Sequence, residues 1–333
     1  NEETLVEIPA HKVFEELGYD TEWGPDLHPG QERQERESYS NVLLKGRLRK
    51  KLEELNPGLP NDAYESAINQ IEGLSGSSLI ENNQKFHEMI IAGVKVLVSE
   101  EGKRTTPKAL RLFDFENPEN NNFLAVRQFW VKQHELKKPD HVVFVNGIPL
   151  VVLEYKDPTK TSETIEKAFH QLGDLNYQRY IPKLFNYNAF LVISDATLAK
   201  YGTITSGFEW FRNWNDPQQP EKEVENRLEI MQRLLFNKNT LLDFIRNFIA
   251  YGHGGKKIIK KIALQHQYIA INKIIKRARE IYPQKGENRL GVIWHTTRSG
   301  KSFTMVLATR LLSKIKEFEN PTFLVVTDRT DLD

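Results

Sequence analysis

The sequence predicts a two-domain α/β protein: a mixed-sheet domain over residues 1–220, then a helical connector and the opening of a parallel α/β sheet over 221–333. Three observations predict it. "HVVFVNGIPLVVLEYK" sets two apolar runs around Asn146-Gly147, so both strands belong in the middle of a sheet. "GVIWHTTRSGKSFTM" runs from an apolar strand, Gly291–Trp294, through a polar turn into a helix pattern. Between these patterns lies "NDPQQPEKEVEN", polar and proline-containing, and the boundary is expected there or in the helices just beyond.

In chain order, residues 3–18 carry a helical period that Gly18 stops. "PDLHPGQERQERESYS" is a charged loop, and residues 41–71 read as two helices around an Asn-Pro-Gly break. A helix end and the strand Val94–Val98 follow, then strands around an Asn-rich turn within residues 108–133. After the central hairpin, residues 162–179 read as a crossover helix and "NAFLVISD" as a buried strand. "YGTITSGFEWFRNW" adds a short strand and an aromatic edge. Residues 223–280 are expected to be helical, interrupted by "YGHGGKK"; residues 290–333 alternate strand, loop, helix and strand, closing on Phe323–Thr327. A parallel strand in last place leaves a sheet unfinished, so the chain is expected to be the N-terminal piece of something longer.

Composition narrows the function classes. Charged residues are 27% and hydrophobic residues 39%, as in ordinary globular proteins, and the net charge of +1 demands no polyanionic partner. With no cysteine, a disulfide framework and cysteine-ligated zinc are excluded, and a reducing cytoplasm suits the chain. No apolar run approaches the roughly 20 residues of a membrane span, so no membrane partner is expected.

The first candidate site is Asp140, Glu154 and Lys156. Glu154 and Lys156 stand two apart on a strand and leave it on one face. Asp140 and Glu154 offer hard oxygen ligands for Mg²⁺, which can polarise a phosphodiester and activate water. Lys156 can position that water or stabilise charge growing on the phosphate. Register sets a condition: a regular two-residue Asn-Gly turn puts Asp140 and Glu154 on opposite faces, and an odd loop or a bulge returns them to one. The competing reading is a solvated strand end, since D…ExK alone is a common accident.

The second candidate is the loop Thr297, Arg298, Ser299, Gly300, Lys301 and Ser302. Gly-Lys-Ser between a strand and a helix fits a phosphate loop: backbone N–H groups and the helix N-terminus cradle phosphate, Lys301 reaches the β- and γ-phosphates of ATP, and Ser302 holds Mg²⁺. Arg298 stands where glycine is usual. Upstream, "KKIIKKIALQHQYIAINKIIKRARE" reads as an amphipathic helix with a lysine face, and Gln267 within it can hydrogen-bond adenine.

With these residues placed, the chain resembles the restriction (R) subunit of type I restriction–modification enzymes. "LVEIPAHKVFEELGYD", "ERESYSNVLLKGRLRKKLEELNPGLP", "PDHVVFVNGIPLVVLEYK", "NYNAFLVISDATLAKYGT", "LLDFIRNFIAYGHGGKKIIKKIALQHQYIAINKII" and "GVIWHTTRSGKSFTM" are similar to family segments in family order. The resemblance implies a restriction-endonuclease-like PD-(D/E)xK domain fused to a superfamily 2 translocase that begins with a RecA-like domain. It implies Asp140, Glu154 and Lys156 as the nuclease triad and Gln267 as the adenine reader. Gly300, Lys301 and Ser302 match helicase motif I, and "TDRTDLD" resembles motif Ia. Cofactors are then Mg²⁺ and ATP; partners are double-stranded DNA and the modification (methyltransferase) and specificity subunits. Glu7 resembles a first-helix glutamate that nucleases of this fold aim at the metal. The family's Gln-x-x-x-Tyr helix has no direct counterpart: Gln171 and Tyr177 stand six apart, off one helical face, and Gln178 has no tyrosine four residues on.

Three functions compete at this stage. One is an ATP-dependent endonuclease subunit. The others are a non-catalytic ATP- or DNA-binding module, which Arg298 favours, and a helicase with an inert N-terminal domain, which the intact D…ExK opposes.

Overall fold

The computed structural model describes residues 1–99, 104–160, 164–218, 226–255, 257–282, 289–297, 299–319 and 321–326. These form two compact units: Asn1–Arg246 with Ala250–Lys261, and Asn247–Ile249 with the described residues from Ile262 onward.

The first unit opens with a π-helical turn, Glu3–Glu7, that runs directly into α1 (Ile8–Glu16). There follow β1 (Asp20–Trp23), α2 (Lys45–Leu55), α3 (Asn61–Glu72), α4 (Leu79–Ala92), β2 (Val94–Val98) and β3 (Thr106–Leu110). Next come β4 (Phe123–Arg127), β5 (Val131–Lys132), β6 (Leu136–Lys137), β7 (His141–Val145) and β8 (Ile148–Tyr155). After them are α5 (Ile165–Leu172), α6 (Tyr177–Tyr180), α7 (Pro182–Asn186), β9 (Phe190–Ser194), β10 (Ala199–Gly202), α8 (Arg227–Leu235) and α9 (Lys238–Asn247). The hairpin β11 (Ile249–Gly254) and β12 (Lys257–Ile262) leads on to the second unit's α10 (Gln265–Ile281) and α11 (Lys301–Leu312).

A six-stranded mixed sheet has the order β1-β4-β7-β8-β9-β10. β1 pairs parallel with β4 and β8 parallel with β9; the other neighbours are antiparallel. Every residue of β7 and β8 is buried, as their two apolar faces require. Asn146 (φ 52°) and Gly147 (φ 78°) make the hairpin turn, both in the left-handed region that its primed geometry needs. Asn146 Oδ1 accepts from Asn122 N at 2.7 Å and its amide donates to Leu112 O at 2.8 Å, which ties the turn to the strand before it.

The register slips once. Near the turn Val145 faces Ile148 and Phe144 faces Pro149; beyond it Val143 faces Val151 and His141 faces Leu153. Leu150 is the extra residue of a bulge, and its carbonyl accepts from Ala189 N at 2.6 Å. Pro149, which has no N–H, stands beside it. Continued outward by one residue, the new register sets Asp140 opposite Glu154, as the parity condition demands.

Several segments depart from the sequence expectations. The crossover helix expected over 162–179 is broken: α5 ends at Leu172, Gly173 follows, and α6 starts at Tyr177. Lys257–Ile262, expected as helix, is a strand that pairs with β11 in a two-stranded sheet. Its Lys260 is buried, donating to Asn83 Oδ1 at 2.8 Å and Asn188 O at 2.6 Å, so it does not belong to a solvated lysine face. Helices α8 and α9, read from sequence as connector, pack in the first unit. There Phe236 meets Phe14 edge-on at 5.4 Å, and Phe244 meets Phe190 and Trp214.

In the second unit α10 and α11 pack around Ala278, Leu312, Ile315 and Phe318. The expected strands Gly291–Trp294 and Phe323–Thr327 form no ladder among the described residues: Val292 is 93% and Leu324 88% exposed, and Thr327 lies outside that range. A strand exists only beside a hydrogen-bonded neighbour, and these apolar segments have none there. Among the described residues no helix is long and apolar enough to cross a membrane.

The turn yields a prediction. A Cβ on Gly147 would run into Leu44 O and lie 2.8 Å from Leu48 N, in a backbone region that side chains avoid. Gly147→Ala should cost about 2 kcal/mol or more in urea unfolding; an unchanged midpoint and slope would remove the turn from the determinants of the fold.

Candidate active site

The bulge delivers two carboxylates to one end of the central hairpin. Asp140 Oδ2 accepts from Tyr155 N at 2.7 Å, which fixes it against β8. Glu154 is 1% exposed, and Lys156 leaves the strand on the same side, its ammonium 3.5 Å from Glu154 Oε1 and 3.9 Å from Glu2 Oε2. The first helical turn brings Glu7 to the same pocket, which Glu2, Glu7, Asp140, Glu154, Lys156 and Gln171 line. Asp140, Glu154, Lys156 and Glu7, separate in sequence, therefore share one cavity.

Gln128 and Glu2 were not picked out from the sequence. Gln128 Nε2 donates to Glu7 Oε2 at 2.9 Å and to Asp140 Oδ1 at 3.4 Å, bridging the two acids. It does so from a left-handed backbone (φ 56°) that glutamine rarely adopts, just past the end of β4. No local pattern marks that conformation. Glu2 and Glu3 share an acidic run with Glu7, a signal for the crowd of charge though not for its target.

Burial sets the electrostatics. It raises Asp140 to about 8, with the charge of Glu7 adding to the shift. Glu154 is pushed well up by burial and then by Asp140, and Glu7 is raised by burial despite the Gln128 bond. Carboxyls crowded this way hold protons until a cation compensates them. Carboxylate oxygens of Glu2, Glu7 and Asp140 all lie within 4.8 Å of one another. Glu154 Oε2 is buried and lacks a hydrogen-bond partner among the described residues. Hard oxygen donors, excess negative charge and an unsatisfied buried oxygen fit a divalent cation.

Gln171 and Tyr177 do meet, across the break at Gly173: Gln171 Nε2 donates to Tyr177 Oη at 2.8 Å, and Tyr177 donates to Lys138 O at 3.3 Å. Burial, and next the charge of Glu154, raise the Tyr177 phenol. Gln178 turns elsewhere, donating to Leu172 O at 3.0 Å.

In the second unit, Gly300 (φ 80°) caps α11, and Lys301 and Ser302 open it, both exposed. Lys301 Nζ donates to Thr296 O at 3.0 Å. Gln267 is buried with both ends of its amide engaged: Oε1 accepts from Leu264 N at 2.7 Å and Nε2 donates to Gly300 O at 3.0 Å and Ser299 O at 3.4 Å. It holds the loop in place. Thr297 is exposed; Arg298 and the segment Thr327–Asp333 lie outside the described residues.

The chain is similar to known proteins along its whole length. Residues 1–210 match the family model described as type I restriction enzyme R protein N terminus, and residues 266–333 match one described as SWI2/SNF2 ATPase. The type I restriction enzyme HindI endonuclease subunit of Haemophilus influenzae is 34% identical over 340 residues, covering all of this chain and 32% of that protein. The putative type I restriction enzyme MjaIXP endonuclease subunit of Methanocaldococcus jannaschii is 33% identical over 358 residues, covering all of this chain and 33% of the relative. The type I restriction enzyme SsaAORF53P endonuclease subunit of Staphylococcus saprophyticus is 28% identical over 228 residues, 64% of this chain and 21% of its own. The chain spans about a third of the length of the first two relatives.

The raised carboxyls have a measurable consequence. A group whose folded pKa exceeds its unfolded value stabilises the fold fully below the unfolded value, here 3.8, and that stability is lost as pH rises through the folded value of about 8. The metal-free protein should therefore lose thermal stability between about pH 4 and about pH 8, and Asp140→Asn should restore part of it at the upper end. Mg²⁺ or Mn²⁺ should raise the melting temperature more at about pH 8 than at about pH 5. Melting curves in chelator that are indifferent to pH and to Asp140→Asn would contradict this electrostatic picture.

Proposed function

As the chain belongs to the type I restriction enzyme R protein family, we propose that the first unit, Asn1–Arg246 with Ala250–Lys261, cleaves the phosphodiester backbone of unmodified double-stranded DNA and that the second unit begins an ATP-driven DNA translocase. One observation carries the nuclease reading: with the register slip at Leu150, Asp140, Glu154 and Lys156 share one face and line one pocket. A sheet end without chemistry has no use for buried, mutually repelling carboxylates. Their convergence favours a working nuclease over an inert N-terminal domain.

Asp140 and Glu154, with Glu7 beside them, would hold Mg²⁺. When bound, Mg²⁺ polarises the scissile phosphate and acidifies water. Gln128 keeps Glu7 and Asp140 at their mutual distance, and the Tyr155 N–H keeps Asp140 turned into the pocket. Lys156 places a positive charge where the attacking water is oriented or where charge grows on the phosphate. Tyr177 fixes Gln171 at the pocket rim as a supporting group.

The loop 297–302 is the ATP-binding segment in this reading. Lys301 faces the polyphosphate, Ser302 holds the Mg²⁺ that accompanies ATP, and Gln267 secures the loop. The whole protein works in the cytoplasm with modification and specificity subunits, which select the DNA.

In the full-length protein assembled with those subunits, Asp140→Ala, Glu154→Ala and Lys156→Ala should each lower plasmid cleavage by more than about 100-fold while ATP hydrolysis continues. A variant that cleaves near the unaltered rate takes that residue out of the site. For the loop, Lys301→Ala should remove ATP binding. Arg298→Gly should tighten it several-fold to about tenfold, the worth of about 1 kcal/mol or somewhat more that a non-glycine residue loses in a loop that asks for glycine. Calorimetry showing no ATP binding until Arg298 is replaced would make the loop a damaged one.

A further inference from the structure

We propose that the β5–β6 hairpin and the α6–α7 corner form a basic lip that carries the phosphate backbone of duplex DNA into the Asp140 pocket; this rests on the nuclease reading above.

The two segments are bound to each other. His134 N donates to Tyr180 O at 3.0 Å, and Lys183 N donates to Gln133 Oε1 at 3.1 Å. Lys137 Nζ lies 4.4 Å from the centre of the Tyr180 ring, and the Arg179 guanidinium 5.8 Å from it. Lys138 Nζ lies 3.9 Å from the centre of the Trp130 ring. Aromatic rings thus hold long cationic side chains against the surface while leaving their charge available. Residues 130–138 and 177–183 contain five lysines and arginines, Lys132, Lys137, Lys138, Arg179 and Lys183, against one carboxylate, Glu135. Glu135 pairs with Lys137 at 2.8 Å, and Asp174 is an exposed acid just before α6. Lys132, Lys138, Arg179 and Lys183 are exposed.

This lip adjoins the pocket. Lys138 stands two residues before Asp140, and its carbonyl receives the Tyr177 hydroxyl that also holds Gln171 at the pocket wall. The pocket lining carries Lys156, Lys160 and Lys167 as well as Glu2, Glu3 and Glu7. A polyanion crossing the lip meets mostly positive charge, since Glu135 is held by Lys137. Lysine and arginine in this setting read phosphate and not base sequence, which suits a subunit that does not choose its target.

The test uses the full-length protein carrying Asp140→Asn, so that DNA survives. Its affinity for a duplex of about 40 base pairs is measured across roughly 50 to 200 mM salt. Replacing Lys132, Lys137 and Lys138 together by alanine should flatten the plot of log affinity against log salt by about 2 to 3, near 0.9 per lost phosphate contact. The triple Lys→Arg protein should keep the slope, and the thermal unfolding midpoint of the alanine protein should be unchanged, which reports that it is folded. A photo-crosslinker replacing the exposed Leu136 should attach to the duplex. An unchanged slope, an equal change in the arginine protein, or no crosslink overturns the lip. Cleavage by the single variant Asp140→Asn would instead overturn the nuclease reading, so the two failures are distinct.

Discussion

The candidate site depends on one extra residue in one strand. With a regular two-residue turn, alternate faces of the hairpin would carry Asp140 and Glu154, and the sheet between them would forbid a shared ion. Leu150 removes that parity problem, and the surrounding structure accommodates it: its carbonyl is taken up by Ala189 N from the neighbouring strand, and Pro149 needs no partner for an N–H it lacks. Because β7 and β8 are buried on both faces, the slip is locked by packing as well as by hydrogen bonds. An irregularity on a sheet edge would be free to relax; in the centre it is enforced.

Once the carboxylates share a face, the rest of the site follows from their mutual repulsion. Burial raises Asp140 and Glu154, and Glu7 and Glu2 add charge to the same small volume. The fold holds them there with a short list of devices: the Tyr155 N–H, the Gln128 bridge and the Lys156 ammonium. Gln128 does this from a strained backbone, the kind of local cost that persists where neighbouring structure over-determines it. The arrangement is least comfortable as a bare anionic cluster, which is the condition that favours binding a cation.

The second unit shows a different kind of preorganisation. Gln267 spends both ends of its amide on backbone, joining the start of α10 to the loop before α11. The backbone at Ser299 and Gly300 is thus held by a side chain some thirty residues upstream in sequence. The apolar segments around Val292 and Leu324 have no strand partners among the described residues, so their sequence pattern stays ahead of their structure.

By itself the sequence determined what is local. Apolar runs on either side of Asn146-Gly147 specify the central hairpin; two-residue spacing puts Glu154 and Lys156 on one face; Gly-Lys-Ser before an apolar helix marks the candidate phosphate loop. The register slip was legible as a condition: only an odd loop or a bulge lets Asp140 and Glu154 share a face about Asn146-Gly147. Tertiary structure decided what depends on long separations. It chose Glu7 and Gln128 as companions of Asp140, and it brought Gln171 to Tyr177 across a helix break that spacing rules would have forbidden. It also turned "KIIKKI" into a strand with a buried lysine. The physical reason is common to all of these: alternation and turn chemistry act over a few residues, whereas burial, charge repulsion and ladder partners are supplied by chain far away in sequence.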